Sequence, residues 1–135
     1  MIDIEILLKN KGAIEEKTGE KTKILEIESF KNLFGDGEIT INSLDPNKMV
    51  EITQQADNVP YKIKSLVVYN AVELNNSTNL KDRKLHDAFG CKADPYEIVG
   101  KLFTPIEVQM IADEVSLLSG FEANKEDKVV TEIKK

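Results

Sequence analysis

Tryptophan is absent from this chain, and aromatic residues make up only 6% of it. The core must therefore be assembled from Ile, Leu, Val and Met. There is a single cysteine, Cys91, and a single histidine, His86. One thiol excludes an intramolecular disulfide framework. One thiol and one imidazole also fall short of a zinc cage built from several His and Cys ligands. No apolar run approaches the roughly 20 residues that a membrane-spanning helix requires. The opening segment, MIDIEILLKN, lacks a basic stretch followed by an apolar run and a small-residue cleavage site, so no signal peptide is expected. A lone cysteine fits a reducing cytoplasm.

The signatures of chemistry are missing as well. Neither G-x-G-x-x-G nor G-x-x-x-x-G-K-[ST] occurs. Gly35 and Gly37 are flanked by Asp36 and Glu38, which repel phosphate, so they read as a turn. The acids around Asp36 do not follow the alternating oxygen ligands of a calcium loop. Cys91 and His86 are five residues apart across an expected helix end, a poor basis for a nucleophile–base pair. The plainer reading is a helix-surface histidine and a half-buried thiol. No catalytic residue, metal ligand or cofactor is expected, and no carboxylate pair is singled out by its spacing.

What is present describes one acidic domain. The chain has 135 residues, 41% hydrophobic and 31% charged, with a formal net charge of −6. That length buries a real core unaided, and the charge argues against nucleic-acid binding. The charge is also uneven. Residues 45–101 balance to zero, whereas residues 102–123 hold no Lys or Arg but include Glu107, Asp113, Glu114 and Glu122. This is either a solvated helix face or an acidic docking surface for a basic partner.

Residues 1–44 read as a strand and hairpin region. Ile2, Ile4 and Ile6 alternate with Asp3 and Glu5, the period of a half-buried strand. Lys9 to Lys21 is polar and reads as a loop. Thr22 to Phe30 suggests a second strand, Phe34 to Gly37 a turn, and Glu38 to Leu44 the clearest strand of all. The last two strands would pair as a hairpin with a wide connection.

Residues 45–121 read as a helical body, and residues 122–135 as a charged, flexible tail. Asp45-Pro46, Asp94-Pro95 and Thr104-Pro105 each place a capping side chain before a proline that has no N–H to lose. Glu97 and Glu107 add capping-box spacing. Gly90 and Gly120 are stop signals, and Phe121 can fold back on the last turn. The expected helices are 46–57, 61–75, 79–89, 95–102 and 105–119. In the last, Val108, Ile111, Val115 and Leu118 form one seam, which Ile106, Met110 and Leu117 widen. Both stripes read as core, with the surplus width open to a partner. The fold class is α+β, mainly α-helical, with an N-terminal β-hairpin followed by about five short helices.

From Val67 to Phe121 the order of short motifs resembles the tail assembly chaperones of long-tailed phages and phage-derived tail particles, of the XkdN-like type. The matching features are Asn79-Leu80-Lys81-Asp82 leading to Leu85, then Ala88-Phe89-Gly90. A short helix from Pro95 to Lys101 follows, then a helix carrying Glu107 that closes with Leu117-Leu118-Ser119-Gly120-Phe121. Upstream, Glu38 to Leu44 resembles the strand entering the first helix of such proteins. Asn79 stands where the family often has Pro, and Thr104-Pro105-Ile106-Glu107 where it often has Gly-Glu. Both replacements preserve a helix start. Residues 1–35 carry no resemblance.

The resemblance implies a non-enzymatic assembly factor in the bacterial host cytoplasm. Such a chaperone binds the long, hydrophobic tape-measure protein, helps recruit tail-tube protein subunits around it, and is absent from the finished particle. Self-association is compatible with this role; nucleic acid and membrane are not expected partners. The residues expected to meet the client are Glu107, Met110, Asp113, Glu114, Leu117 and Phe121, an apolar strip with an acidic rim. The alternative is another small phage-encoded interaction protein, either a regulatory factor or a structural adaptor that stays in the particle.

Overall fold

The computed structural model describes residues 1–75 and 78–122. The expected tail lies outside them from residue 123 onward. The architecture is mainly helical α+β, with a three-stranded antiparallel sheet in the order β1-β2-β3. Two short helices, α1 (Ile4–Lys9) and α2 (Lys11–Thr18), lead into β1 (Thr22–Glu26). Helix α3 (Glu28–Phe34) bridges to β2 (Glu38–Asn42). Helices α4 (Pro46–Gln55) and α5 (Pro60–Ala71) follow, and α5 passes without a break into β3 (Val72–Glu73). Helix α6 (Arg83–Ala88), a 3-10 turn over Pro95–Glu97, α7 (Ile98–Leu102) and α8 (Pro105–Ser119) complete the order.

The hairpin is present where it was expected, with α3 as its wide connection. Strand β1 pairs with β2 from Thr22↔Asn42 to Glu26↔Glu38. Thr40 and Ile41 of β2 then pair with Glu73 and Val72 of β3. Ile39 and Ile41 turn into the core, as the period of two requires, and Val72 joins them from β3. Gly37 lets the chain close on β1. A Cβ there would sit 2.2 Å from the carbonyl oxygen of Ile27, whose own N–H donates to the Gly37 carbonyl at 2.7 Å.

The helix starts follow the capping chemistry unevenly. Asp45 accepts from the Lys48 N–H at 2.8 Å. Thr104 and Glu107 form a complete capping box. Asp94 instead accepts from the Tyr96 N–H at 3.2 Å in a 3-10 turn, so the spacing to Glu97 produces no box. At the far end of α8, Gly120 is left-handed (φ 79°) and the Phe121 N–H reaches back to the Ser116 carbonyl at 3.0 Å. This is a helix stop of the Schellman type.

Helix α5 packs along α8 as the principal helix pair. Leu66, Val67 and Val68 of α5 are buried, as are Val108, Ile111, Ala112 and Val115 of α8. Leu80, Ile98, Val99 and Phe103 extend the same core.

Several expectations fail. Ile2, Ile4 and Ile6 do not form a strand. The Asp3 carboxylate accepts from the Ile6 N–H at 2.9 Å and starts α1 instead. The alternation pairs with no strand, and none of the residues of α1 is buried. The polar stretch expected as a loop contains α2. The strand expected to reach Phe30 stops at Glu26, because α3 begins at Glu28. The helix expected to reach residue 75 ends at Ala71, where β-branched Val72 finds a place in the sheet beside Ile41. The helix expected from residue 79 starts at Arg83, where the Asp82 side chain caps it. Asn79 is drawn instead into a bridge with Glu73.

Candidate partner-binding face

Successive residues of an α-helix are rotated by about 100°. On α8 this puts Val108, Ile111, Ala112 and Val115 on one side, all of them buried. Ile106, Met110 and Leu117 fall on the opposite side, with Asp113 among them. Their exposures are 61%, 60% and 37%. The two apolar stripes are thus back to back. The second does not widen the core, as the sequence suggested, because the core of α8 is already filled by the first.

The row continues past the helix end. A groove of about 1060 Å³ opens there. Leu117, Leu118 and Phe121 line it together with Leu44 and Pro46 from the start of α4. Its charged groups are mixed, with Lys17, Lys21 and Lys48 beside Glu20, Asp45 and Glu122. A hydrogen bond from the Leu44 N–H to the Ser119 hydroxyl oxygen, at 2.8 Å, holds the two sides together.

The acidic residues singled out by sequence are occupied within the chain. The Glu114 carboxylate meets the Lys23 ammonium at 2.8 Å, and Asp113 faces Lys64 at 3.9 Å. Glu107 is the most constrained. One carboxylate oxygen accepts from the Thr104 N–H at 2.8 Å, and the other accepts from the Ser29 hydroxyl. Partial burial pushes the Glu107 carboxyl upward, but the hydrogen bonds from Ser29 and Thr104 outweigh it and hold the group below the usual carboxylate range. Glu107 therefore ties α8 to α3. The six candidates thus divide: Met110, Leu117 and Phe121 are exposed, while Glu107, Asp113 and Glu114 are held by neighbours on α3, α5 and β1.

His86 is not on the surface. It is buried, with Nε2 2.7 Å from the Leu80 carbonyl oxygen and its ring stacked near Tyr69. Cys91 is more deeply buried than expected, and its thiol donates to the His86 carbonyl at 3.6 Å, not to the imidazole. The pair is thus a backbone-anchoring arrangement. A smaller pocket of about 600 Å³ beside it is lined by Tyr69, Lys81, Arg83, His86, Asp87 and Lys92. Lys81 stands 5.9 Å above the Tyr69 ring, and burial pushes the Tyr69 hydroxyl up from its ordinary range. Among the described residues no three His, Cys, Asp or Glu side chains gather to hold a metal ion. No helix among them is long and apolar enough to cross a membrane.

The missed feature of the site was legible in principle. An apolar stripe 180° from a complete core seam cannot be buried by the same packing. No family model, curated protein or solved structure matches the chain.

Proposed function

We propose that this chain is a non-enzymatic tail assembly chaperone of the bacterial host cytoplasm. Its client is the tape-measure protein, which it holds until tail-tube subunits take its place. The observation that carries the reading is the exposed row Ile106, Met110 and Leu117, continued by Phe121 into the groove. A soluble domain that leaves aliphatic side chains in line on one helix presents a surface suited to an apolar partner. A long apolar client needs such cover before its permanent partners arrive. Because Glu107, Asp113 and Glu114 are paired within the chain, affinity rests on the apolar row, and the carboxylates set the polar boundary.

Co-expression with the tape-measure protein tests this. The triple variant Ile106→Ser, Met110→Ser, Leu117→Ser alters only exposed side chains and is expected to fold like the parent. It should bind the tape-measure protein about tenfold more weakly, the change that about 1.4 kcal/mol implies, and keep less of it soluble. Undiminished rescue would remove α8 as the client face. Mass spectrometry of purified particles tests the wider role: a chaperone is missing from them, whereas a structural adaptor is found.

A further inference from the structure

Strand β1 forms one edge of the sheet, since the order is β1-β2-β3. At the two ends of its ladder the Ser43 N–H donates to the Lys21 carbonyl at 2.8 Å and the Ile27 N–H to the Gly37 carbonyl at 2.7 Å. Backbone groups of a strand alternate in direction. Lys21, Lys23, Leu25 and Ile27 therefore direct their N–H and C=O groups toward β2. Those of Thr22, Ile24 and Glu26 point the other way, to an edge that no other strand among the described residues covers.

Edges of this kind are usually blunted by proline, a bulge or charged side chains left free to meet a partner's like charge. Here the ladder runs through five consecutive pairs without a bulge, and the segment TKILE has no proline. Its two charges are each paired within the chain, with their side chains half-exposed. The Lys23 ammonium lies 2.8 Å from Glu114 on α8, and the Glu26 carboxylate lies 2.9 Å from Lys31 on α3. The centre of the strand, Ile24, is 65% exposed.

We propose that β1 is a self-association edge, and that its occupant is β1 of a second copy, antiparallel about a two-fold axis at Ile24. Charge and register select this partner. With Ile24 opposite its own mate, Thr22 stands opposite Glu26 of the second copy and Lys23 opposite Leu25, so no like charges face each other. Every outward N–H and C=O of the strand then meets one from the mate. Moving the axis to Lys23 sets Lys23 against Lys23. Moving it to Leu25 pairs Thr22 with Glu28, which belongs to α3 and is not extended. The favoured register joins two sheets into one continuous sheet across an isologous contact. It also covers the two exposed Ile24 side chains with each other.

The test is sedimentation of the full chain over a concentration series up to about 1 mM, a range that resolves weak association. The parent is expected to pass from monomer to dimer, and Ile24→Lys to raise the dissociation constant about tenfold or more by placing like charges opposite each other. Ile24→Cys should cross-link with a short bis-maleimide far faster than a control cysteine at the exposed Leu33 of α3; Cys91, being buried, does not compete. Amide exchange should slow at Thr22, Ile24 and Glu26 as concentration rises. A parent that stays monomeric throughout overturns the proposal. So does a dimer that is indifferent to Ile24→Lys, or cross-linking at position 24 no faster than at position 33; either would assign the contact to another surface or to another kind of partner.

Discussion

The first 18 residues and the body that follows use similar side chains to opposite effect. Helices α1 and α2 contain Ile4, Ile6, Leu7, Leu8 and Ile14, yet bury none of their residues. In the body, Ile41, Ile52, Ile98 and Ile111 are almost wholly withdrawn from water. An isoleucine contributes to stability only where a second surface meets it. The difference lies not in apolar content but in long-range partners: β2, α5 and α8 face one another, and α1 and α2 face solvent.

Paired substitutions sharpen that contrast. Ile111→Ala should destabilise the domain by about 3–4 kcal/mol, through lost transfer energy and a residual cavity. Leu8→Ala, on exposed α1, should stay within about 0.5 kcal/mol. Denaturant unfolding of the two variants checks both values, and similar midpoints would mean that α1 is anchored after all. Gly37→Ala comes next, at about 2–3 kcal/mol, because the new methyl would press on the Ile27 carbonyl and part the hairpin. A thermal melt of that variant reads the loss directly.

Thr104→Ala should cost about 1 kcal/mol by opening the capping box of α8. Asp94→Ala should cost less, since its single contact to Tyr96 is longer and caps only a 3-10 turn. Comparing the two melting temperatures in one buffer ranks the caps. The smallest effect is the pH dependence of the Glu107 contact. Its carboxyl is held below the ordinary value of 4.5 in the folded chain. The stabilisation is thus complete above the unfolded value and fades as pH falls through the folded one. The gap in melting temperature between the parent and Glu107→Gln should be widest at neutral pH and narrow as the pH falls through the lowered folded value. A constant gap would mean that the ionised form is not what Ser29 and Thr104 recognise.

The same contrast explains how much could be read from the residues alone. The start and end of α8 follow from Thr104-Pro105 and Gly120, because caps are local chemistry. Strand β2 follows from Ile39 and Ile41, because one face meets the core. The N-terminal alternation misled because the cap at Asp3 is also local chemistry, and no neighbouring strand opposed it. Val72 misled for the converse reason. It continues a helical run by composition, and only the distant edge of β2 draws it into the sheet. At the candidate site, Met110 and Leu117 were marked by helical spacing, though in a stripe read as core, and Phe121 by the stop signal at Gly120. The ties of Glu107 to Ser29 and Glu114 to Lys23 join residues 78 and 91 positions apart, and no local pattern encodes them.

The seamless passage from Ala71 of α5 to Val72 of β3 has a consequence for the order of folding. The β1–β2 hairpin closes a short stretch of chain and can form by itself early. The third strand has no slack of its own. It is continuous with α5, which packs along α8, so its pairing with Thr40 and Ile41 fixes where α5 leaves the sheet. Completion of the sheet and docking of the helices are therefore expected to be coupled, and the Glu73 amide should gain protection from exchange together with the amides of α8.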